Sequence, residues 1–156
     1  MDFIKEGKNA LKMKENFKNN KSIKVPEIYQ EYNTKRVIVM SYESGIPITD
    51  IKQLKQRNVN LRDIGKKLID CYCKQIFYHG HVHSDPHSGN VFIQIEGDNP
   101  KILFLDHGTY INLQEREIVS FAGLWVGLIH QNIRLIKSNC LNLGTGLFKL
   151  FSCNCN

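Results

Sequence analysis

The sequence predicts an α+β fold, mostly helical, with one short β-hairpin. Three observations carry that prediction. Leu61, Ile64, Leu68, Tyr72 and Ile76 step along one face of a helix. Two apolar runs, Val91–Glu96 and Lys101–Asp106, flank the turn signal G-D-N-P and read as a hairpin. An apolar-rich stretch from about Gln114 to Ser138 reads as one long helix. At 156 residues the chain has material for a single core.

The elements follow in order. Residues 2–19 fit an amphipathic helix, with Phe3, Ala10 and Phe17 repeating every seven positions beside Ile4 and Leu11. "VPEIY" (25–29) opens at a proline that ends any helix. "RVIVMSYE" (36–43) is β-branched and apolar and reads as a buried strand closing at S-G-I-P. Asp50 is placed to cap a short helix through Leu54. Asn60 caps the next one, and Gly80 stands where its C-terminal cap belongs.

Composition narrows the classes. The chain is 42% hydrophobic and 23% charged, with net charge +6 and pI about 9.1. The lysines are interspersed with acids, which describes a solvated surface better than a nucleic-acid footprint, so no nucleic-acid partner is expected. Five cysteines, none in C-x-x-C spacing, argue against a zinc site and against a disulfide framework. Cys71 and Cys73 read as buried thiols inside a helix, and Cys153 and Cys155 lie in a polar tail, which points to a reducing compartment. The start lacks the apolar core of a signal peptide. "FAGLWVGLI" (121–129) is too short to span a bilayer and reads as a buried or interfacial helix.

"HGHVHSDPHSGNVFI" (79–93) concentrates the polar chemistry and admits three readings. His81, His83, Asp85 and His87 approach the ligand run of two-zinc hydrolases, although Pro86 breaks the spacing and a helix precedes it where a strand should. Alternatively, His83, Asp85 and Asn90 form H-x-D-x-x-x-x-N, and a second acid, Asp106, ends the next strand before His107 and Gly108. Helix, loop, hairpin and acid-x-Gly in that order is how a protein kinase's larger lobe builds its centre. There one carboxylate orients the attacking hydroxyl or water, and an amide oxygen with a second carboxylate holds Mg²⁺ on the phosphates. His83 is then structural, packing the loop under the acid-x-Gly turn. The third reading is a polar loop of satisfied histidines.

"HSDPHSGNVFI" and "ILFLDHGTY" resemble the UbiB/AarF/ADCK family of atypical kinases, with H-x-D-P-H-P-G-N followed by L-D-[FH]-G. "DFIKEGKNA", "IKVPEIY" and "RVIVMSYESG" are similar to its D-[FY]-x-x-E-A-x-N helix, V-P-x-V entry and hinge, so the resemblance runs over residues 2 to about 125. It implies a kinase-like, mostly helical C-lobe with a catalytic β-hairpin and a remnant of the N-lobe. The implied roles are Asp85 as catalytic base, Asn90 and Asp106 as Mg²⁺ ligands, and Glu6 as partner of the nucleotide-binding lysine. Asp2 matches the aspartate of E-x-D. The backbone at Ser41 and Glu43 faces adenine behind Met40, and His83 and Gly108 are structural. ATP and Mg²⁺ are the implied cofactors. The DHG form implies a mitochondrial setting at a membrane surface, with a lipid- or quinone-related substrate.

Ser88, Ser41, Thr109 and Gly7 depart from the family pattern without removing a ligand. The chain holds no K-x-G-Q segment, and the glutamate of E-x-D would precede Met1. One partial domain is therefore expected, with N-lobe helix and hinge at 1–43, C-lobe at 44–138 and tail at 139–156. The competing expectation is a non-catalytic, pseudokinase-like binding module.

Overall fold

The structure is a computed structural model that describes residues 2–97 and 99–144. Helix α1 (Phe3–Asn16) starts where the Asp2 carboxylate accepts the Ile4 N–H at 3.1 Å. Glu6, Gly7, Ala10 and Met13 form its buried face. Strands β1 (Ile23–Lys24) and β2 (Ile46–Pro47) are two residues each. Asp50 caps α2 (Ile51–Gln56) by accepting the Gln53 N–H, as its position predicts.

Helix α3 (Leu61–Lys74) begins at Asn60, whose side chain accepts from Arg62 and Asp63. It runs on into a π-helical turn, Gln75–His79, that stops at Gly80 with φ +58°. A Cβ there would meet the Leu113 carbonyl oxygen at 3.1 Å, so both the left-handed backbone and the close approach require glycine. Then come β3 (His81–His83), β4 (Val91–Gln94), β5 (Lys101–Phe104), β6 (Tyr110–Asn112), α4 (Glu115–Ile129) and α5 (Ile133–Asn142).

The expected hairpin is present as β4 and β5, paired antiparallel with Val91 opposite Phe104 and Ile93 opposite Ile102. It forms the centre of a four-stranded sheet in the order β1-β5-β4-β2, with β1 parallel to β5. A second, two-stranded sheet pairs β3 with β6. One apolar cluster joins the layers: Ala10, Met13 and Phe17 of α1 and Ile64 and Cys71 of α3 share it with Ile93, Ile102 and Phe104 of the hairpin. Side chains as completely buried as Met13 and Phe104 each stabilise the fold by about 1.5–3 kcal/mol.

Four expectations are corrected. The buried strand at 36–43 reduces to one bridge, Ile28 to Met40, with hydrogen bonds from the Tyr29 N–H to the Val39 carbonyl and from the Ser41 N–H to the Glu27 carbonyl. Tyr42 is 93% exposed. A β-branched run becomes a strand only where a neighbour extends the ladder, and here the neighbour is the short 27–29 segment.

The helix expected over 114–138 is two helices. The chain turns at His130–Asn132, with Gln131 at φ +53°, and Asn132 caps α5 by accepting the Leu135 N–H at 3.1 Å. Continuous apolar periodicity hid an internal cap. Trp125 and Ile129 are more than half exposed, so of the two readings of "FAGLWVGLI", buried or interfacial helix, the buried one fails. Among the described residues no helix is long and apolar enough to cross a membrane. Cys71 is buried but Cys73 is exposed, because two residues along a helix turn a side chain to the opposite side. Cys153 and Cys155 lie outside the described residues.

Candidate functional site

The hairpin brings Asn90 and Asp106 together. Asn90 immediately precedes β4 and Asp106 stands two residues beyond β5, so both leave the same end of the hairpin. The Leu105 N–H donates to the Asn90 carbonyl at 3.1 Å and ties the two strand ends. The Asn90 amide donates to Asp106 Oδ2 at 3.1 Å, and the Gly108 N–H donates to Asp106 Oδ1 at 2.8 Å.

His83 links this turn to the preceding loop. Its Nε2 meets the Asp106 carbonyl at 2.7 Å, and a carbonyl can only accept, so Nε2 carries the proton. Nδ1 is then free to accept the Asp85 N–H at 3.2 Å. The Asp85 residue is exposed and its backbone is held, through His83, against the turn that carries Asp106.

Glu6 reaches the same turn from α1. It is 5% exposed, its Oε1 accepts the His107 N–H at 3.4 Å, and its Oε2 is buried without a partner. Burial pushes its carboxyl above the usual range and the charge of Asp106 adds to that, against the His107 hydrogen bond. Gly108 sits between the two acids: a Cβ there would lie 3.2 Å from Asp106 Oδ1 and 3.7 Å from Glu6 Oε2.

The remaining sequence-predicted residues lie elsewhere. Asp2 is exposed and caps α1. Met40 is half-buried against the core. Ser41 spends its N–H on the Glu27 carbonyl, and its hydroxyl donates to Glu43 at 2.8 Å. Glu43 also accepts from Gln94 at 3.0 Å and pairs with Lys24 at 3.2 Å. Burial pushes the Glu43 carboxyl up, but the hydrogen bonds from Gln94, Ser41 and Lys24, with the lysine's charge, outweigh it and leave the pKa lowered. Gln94 is at the far end of β4 from Asn90, so Ser41 and Glu43 are not part of the Asn90–Asp106 cluster. A cavity of about 450 Å³ borders Lys24 and Glu43, not the acids of the turn.

The histidines do not converge. His79 packs on Phe17, and His87 is exposed and accepts the Gly89 N–H. His81 donates from Nδ1 to Asn112 and stacks on Tyr110 with ring centroids 4.4 Å apart. Both nitrogens of His83 are engaged, and although His81 Nε2 is buried without a partner, no group of three or more His, Cys, Asp or Glu among the described residues could hold a metal ion. The two-zinc ligand set is not formed.

Three residues at the site were given no role by sequence reasoning. Gln75, fully buried in the π-helical turn, accepts the His83 N–H at 2.8 Å. The Tyr110 hydroxyl donates to His107 Nδ1 at 2.9 Å, while Nε2 of that ring donates to the Phe104 carbonyl at 3.2 Å. Asn9 donates from Nδ2 to the His107 carbonyl at 2.9 Å. Asn9 left a signal as the asparagine that matches the D-[FY]-x-x-E-A-x-N pattern, three positions after Glu6, and Tyr110 ends "ILFLDHGTY"; Gln75 left none.

A family model described as the ABC1 atypical kinase-like domain matches residues 1–140. The chain belongs to that family. This ABC1 domain is 36% identical over 156 residues to AarF domain-containing protein kinase 1 of Xenopus tropicalis, covering 98% of this chain and 30% of that protein. It is 33% identical to AarF domain-containing kinase 1 of Drosophila melanogaster with the same coverage. The probable protein kinase UbiB of Photorhabdus laumondii is 28% identical over 87% of this chain and 25% of its own. The ABC1 domain therefore spans about 30% of the length of the first two relatives.

Among solved structures, that of Rv3197 with erythromycin from Mycobacterium tuberculosis is similar with a TM-score of 0.61 at 15% identity, over 90% of this chain and 34% of that one. This likeness shows the fold, a kinase-like mixture of helix and sheet. The family read from "HSDPHSGN" and "LDHG" is thereby established.

Proposed function

We propose that this ABC1 domain contributes the metal- and phosphate-handling part of an ATP- and Mg²⁺-dependent site, in an ATPase or atypical phosphotransferase. In this reading residues 1–43 are N-lobe helix and hinge, 44–138 the C-lobe and 139–156 a tail. The observation that carries it is the pairing of Asn90 with Asp106 at one end of the hairpin, with Asp85 tied to the same turn through His83.

The donor chemistry fits the ion. Mg²⁺ takes hard oxygens, one or two from carboxylates and the rest from phosphates and water. Asp106 supplies a carboxylate, and a flip of the Asn90 amide presents its oxygen. When bound, Mg²⁺ would neutralise charge on the transferring phosphoryl group. Asp85 orients the attacking hydroxyl or water. The buried, unpartnered oxygen of Glu6 calls for a cation, in keeping with an ammonium from a nucleotide-binding lysine. For adenine, the Ser41 carbonyl and the Glu43 backbone are the groups on offer, since the Ser41 N–H is engaged. A mitochondrial membrane setting and a lipid- or quinone-related substrate follow from the family resemblance of the DHG form.

A second reading, a non-catalytic binding module, is favoured by one observation: both oxygens of Asp106 already accept protein hydrogen bonds. Titration with Mg²⁺ and a fluorescent ATP analogue separates the two. The enzyme reading expects binding by this chain weaker than about 1 µM, reduced roughly tenfold or more in Asp106→Asn and Asn90→Ala. Equal binding by wild type and Asp106→Asn would favour the module.

A further inference from the structure

The peptide that joins His107 to Gly108 is held at both ends. Its carbonyl accepts the Asn9 amide at 2.9 Å, and its N–H donates to Asp106 Oδ1 at 2.8 Å. In a trans peptide these two groups point in opposite directions. Whatever fixes the carbonyl therefore fixes the direction of the N–H, and with it one oxygen of the Asp106 carboxylate. Asn90 fixes the other oxygen at 3.1 Å.

Among the described residues, no other group bonds the His107 carbonyl. The His107 ring is committed to Phe104 and Tyr110. Glu6 holds the neighbouring peptide, through the His107 N–H, at the longer distance of 3.4 Å. Glycine at 108 leaves the 107–108 peptide freer to rotate than any other residue would. Rotated by half a turn, that peptide would aim its carbonyl at the Asp106 carboxylate and withdraw the N–H.

We propose that Asn9 is a positioning residue for Asp106. It locks the 107–108 peptide so that Gly108 presents its N–H and the carboxylate keeps one orientation. Helix α1 and the acid turn then move as one body, and a shift of α1 changes the reach of Asp106 toward a divalent cation on nucleotide phosphates. The last step rests on the reading of Asp106 given above.

The test uses this chain with Asn9→Ala, Asn9→Asp and Asn9→Gln, and Lys8→Ala on an exposed position of the same helix as control. Amide hydrogen exchange of Gly108 is measured without nucleotide. Binding of Mn²⁺ with a non-hydrolysable ATP analogue is followed by electron paramagnetic resonance. Losing the one donor is expected to accelerate Gly108 exchange and weaken Mn²⁺–nucleotide binding by roughly tenfold each in Asn9→Ala. Asn9→Asp has the same shape but no donor, and should lose at least as much. Asn9→Gln keeps a donor and should recover part of both, and Lys8→Ala should change neither.

A purely packing role predicts that Asn9→Asp behaves as wild type, and that result overturns the proposal. So does unchanged Gly108 exchange beside a cation affinity that falls in Asp106→Asn, which leaves the cation reading standing. Accelerated exchange in a chain whose wild type binds no Mn²⁺–nucleotide supports the link from Asn9 to Asp106 and sinks the cation reading instead.

Discussion

His107 is 1% exposed, and its ring spends both nitrogens inside the fold, Nε2 on the Phe104 carbonyl and Nδ1 on the Tyr110 hydroxyl. Burial holds its pKa down at about 4; His83 and His81 add to that, and the Phe104 carbonyl and Asp106 oppose it. In the unfolded chain the imidazole titrates near 6.5. Between those values the unfolded state binds a proton that the folded state refuses. The stability this residue contributes is whole above pH about 6.5 and is lost as pH falls toward 4, by about 3 kcal/mol. His107→Phe should flatten the fall in urea midpoint between about pH 7 and pH 4.5, at the cost of an unpaired Tyr110 hydroxyl at neutral pH. An unaltered slope would place the acid sensitivity elsewhere. Glu6 acts in the opposite sense, since its raised pKa makes the buried carboxylate a cost at neutral pH that acid relieves. Asp85, Asn90 and Asp106 were legible as residues because their motifs are local in sequence. Asn9 stood in the motif of the first helix, but its bond to a carbonyl 98 positions away, like that of Gln75 to a residue 8 positions on, is announced by no local pattern.

Helices α4 and α5 form a tight pair whose contact face depends on small residues. A Cβ on Gly127 would lie 2.9 Å from Ile136 Cγ1 and 3.1 Å from the Ile136 backbone nitrogen. On Gly65, inside α3, a Cβ would meet nothing within 4 Å. The same substitution should therefore have opposite signs. Gly127→Ala is expected to cost about 1–3 kcal/mol by overpacking, and Gly65→Ala to gain about 0.5–1 kcal/mol from helix propensity. Urea unfolding of the two variants checks both, and a shared sign would refute the packing account. At this scale helices α1, α2 and α3, the caps of the last two and the β4–β5 hairpin were readable, since caps, turn signals and period are local. The pairing of β3 with β6 was not, because a three-residue strand carries too little pattern and its partner lies about 30 residues on. The strand expected at 36–43 failed for a related reason: strand character needs a second chain alongside, which propensity cannot report.

For the whole molecule, α1 is inseparable from the rest. Ala10, Met13 and Phe17 share one core with Ile93, Ile102 and Phe104, and α1 also grips the turn that carries Asp106. A chain lacking residues 1–19 should lose cooperative unfolding, whereas an independent N-terminal element would leave a folded remainder; thermal unfolding followed by circular dichroism distinguishes them. By itself the sequence determined the α+β class, the caps of α2 and α3, the hairpin, the ABC1 family and the order of its acids, all of which are written in contiguous residues. The tertiary structure decided what those residues do to one another. It scattered the four histidines that crowd "HGHVHSDPH", spent His83 as a bridge between Asp85 and Asp106, and left one oxygen of Glu6 buried without a partner. It also brought Asn9 to a peptide almost a hundred residues away. Local propensity is set by neighbours along the chain, but burial and hydrogen-bond partners are set by neighbours in space.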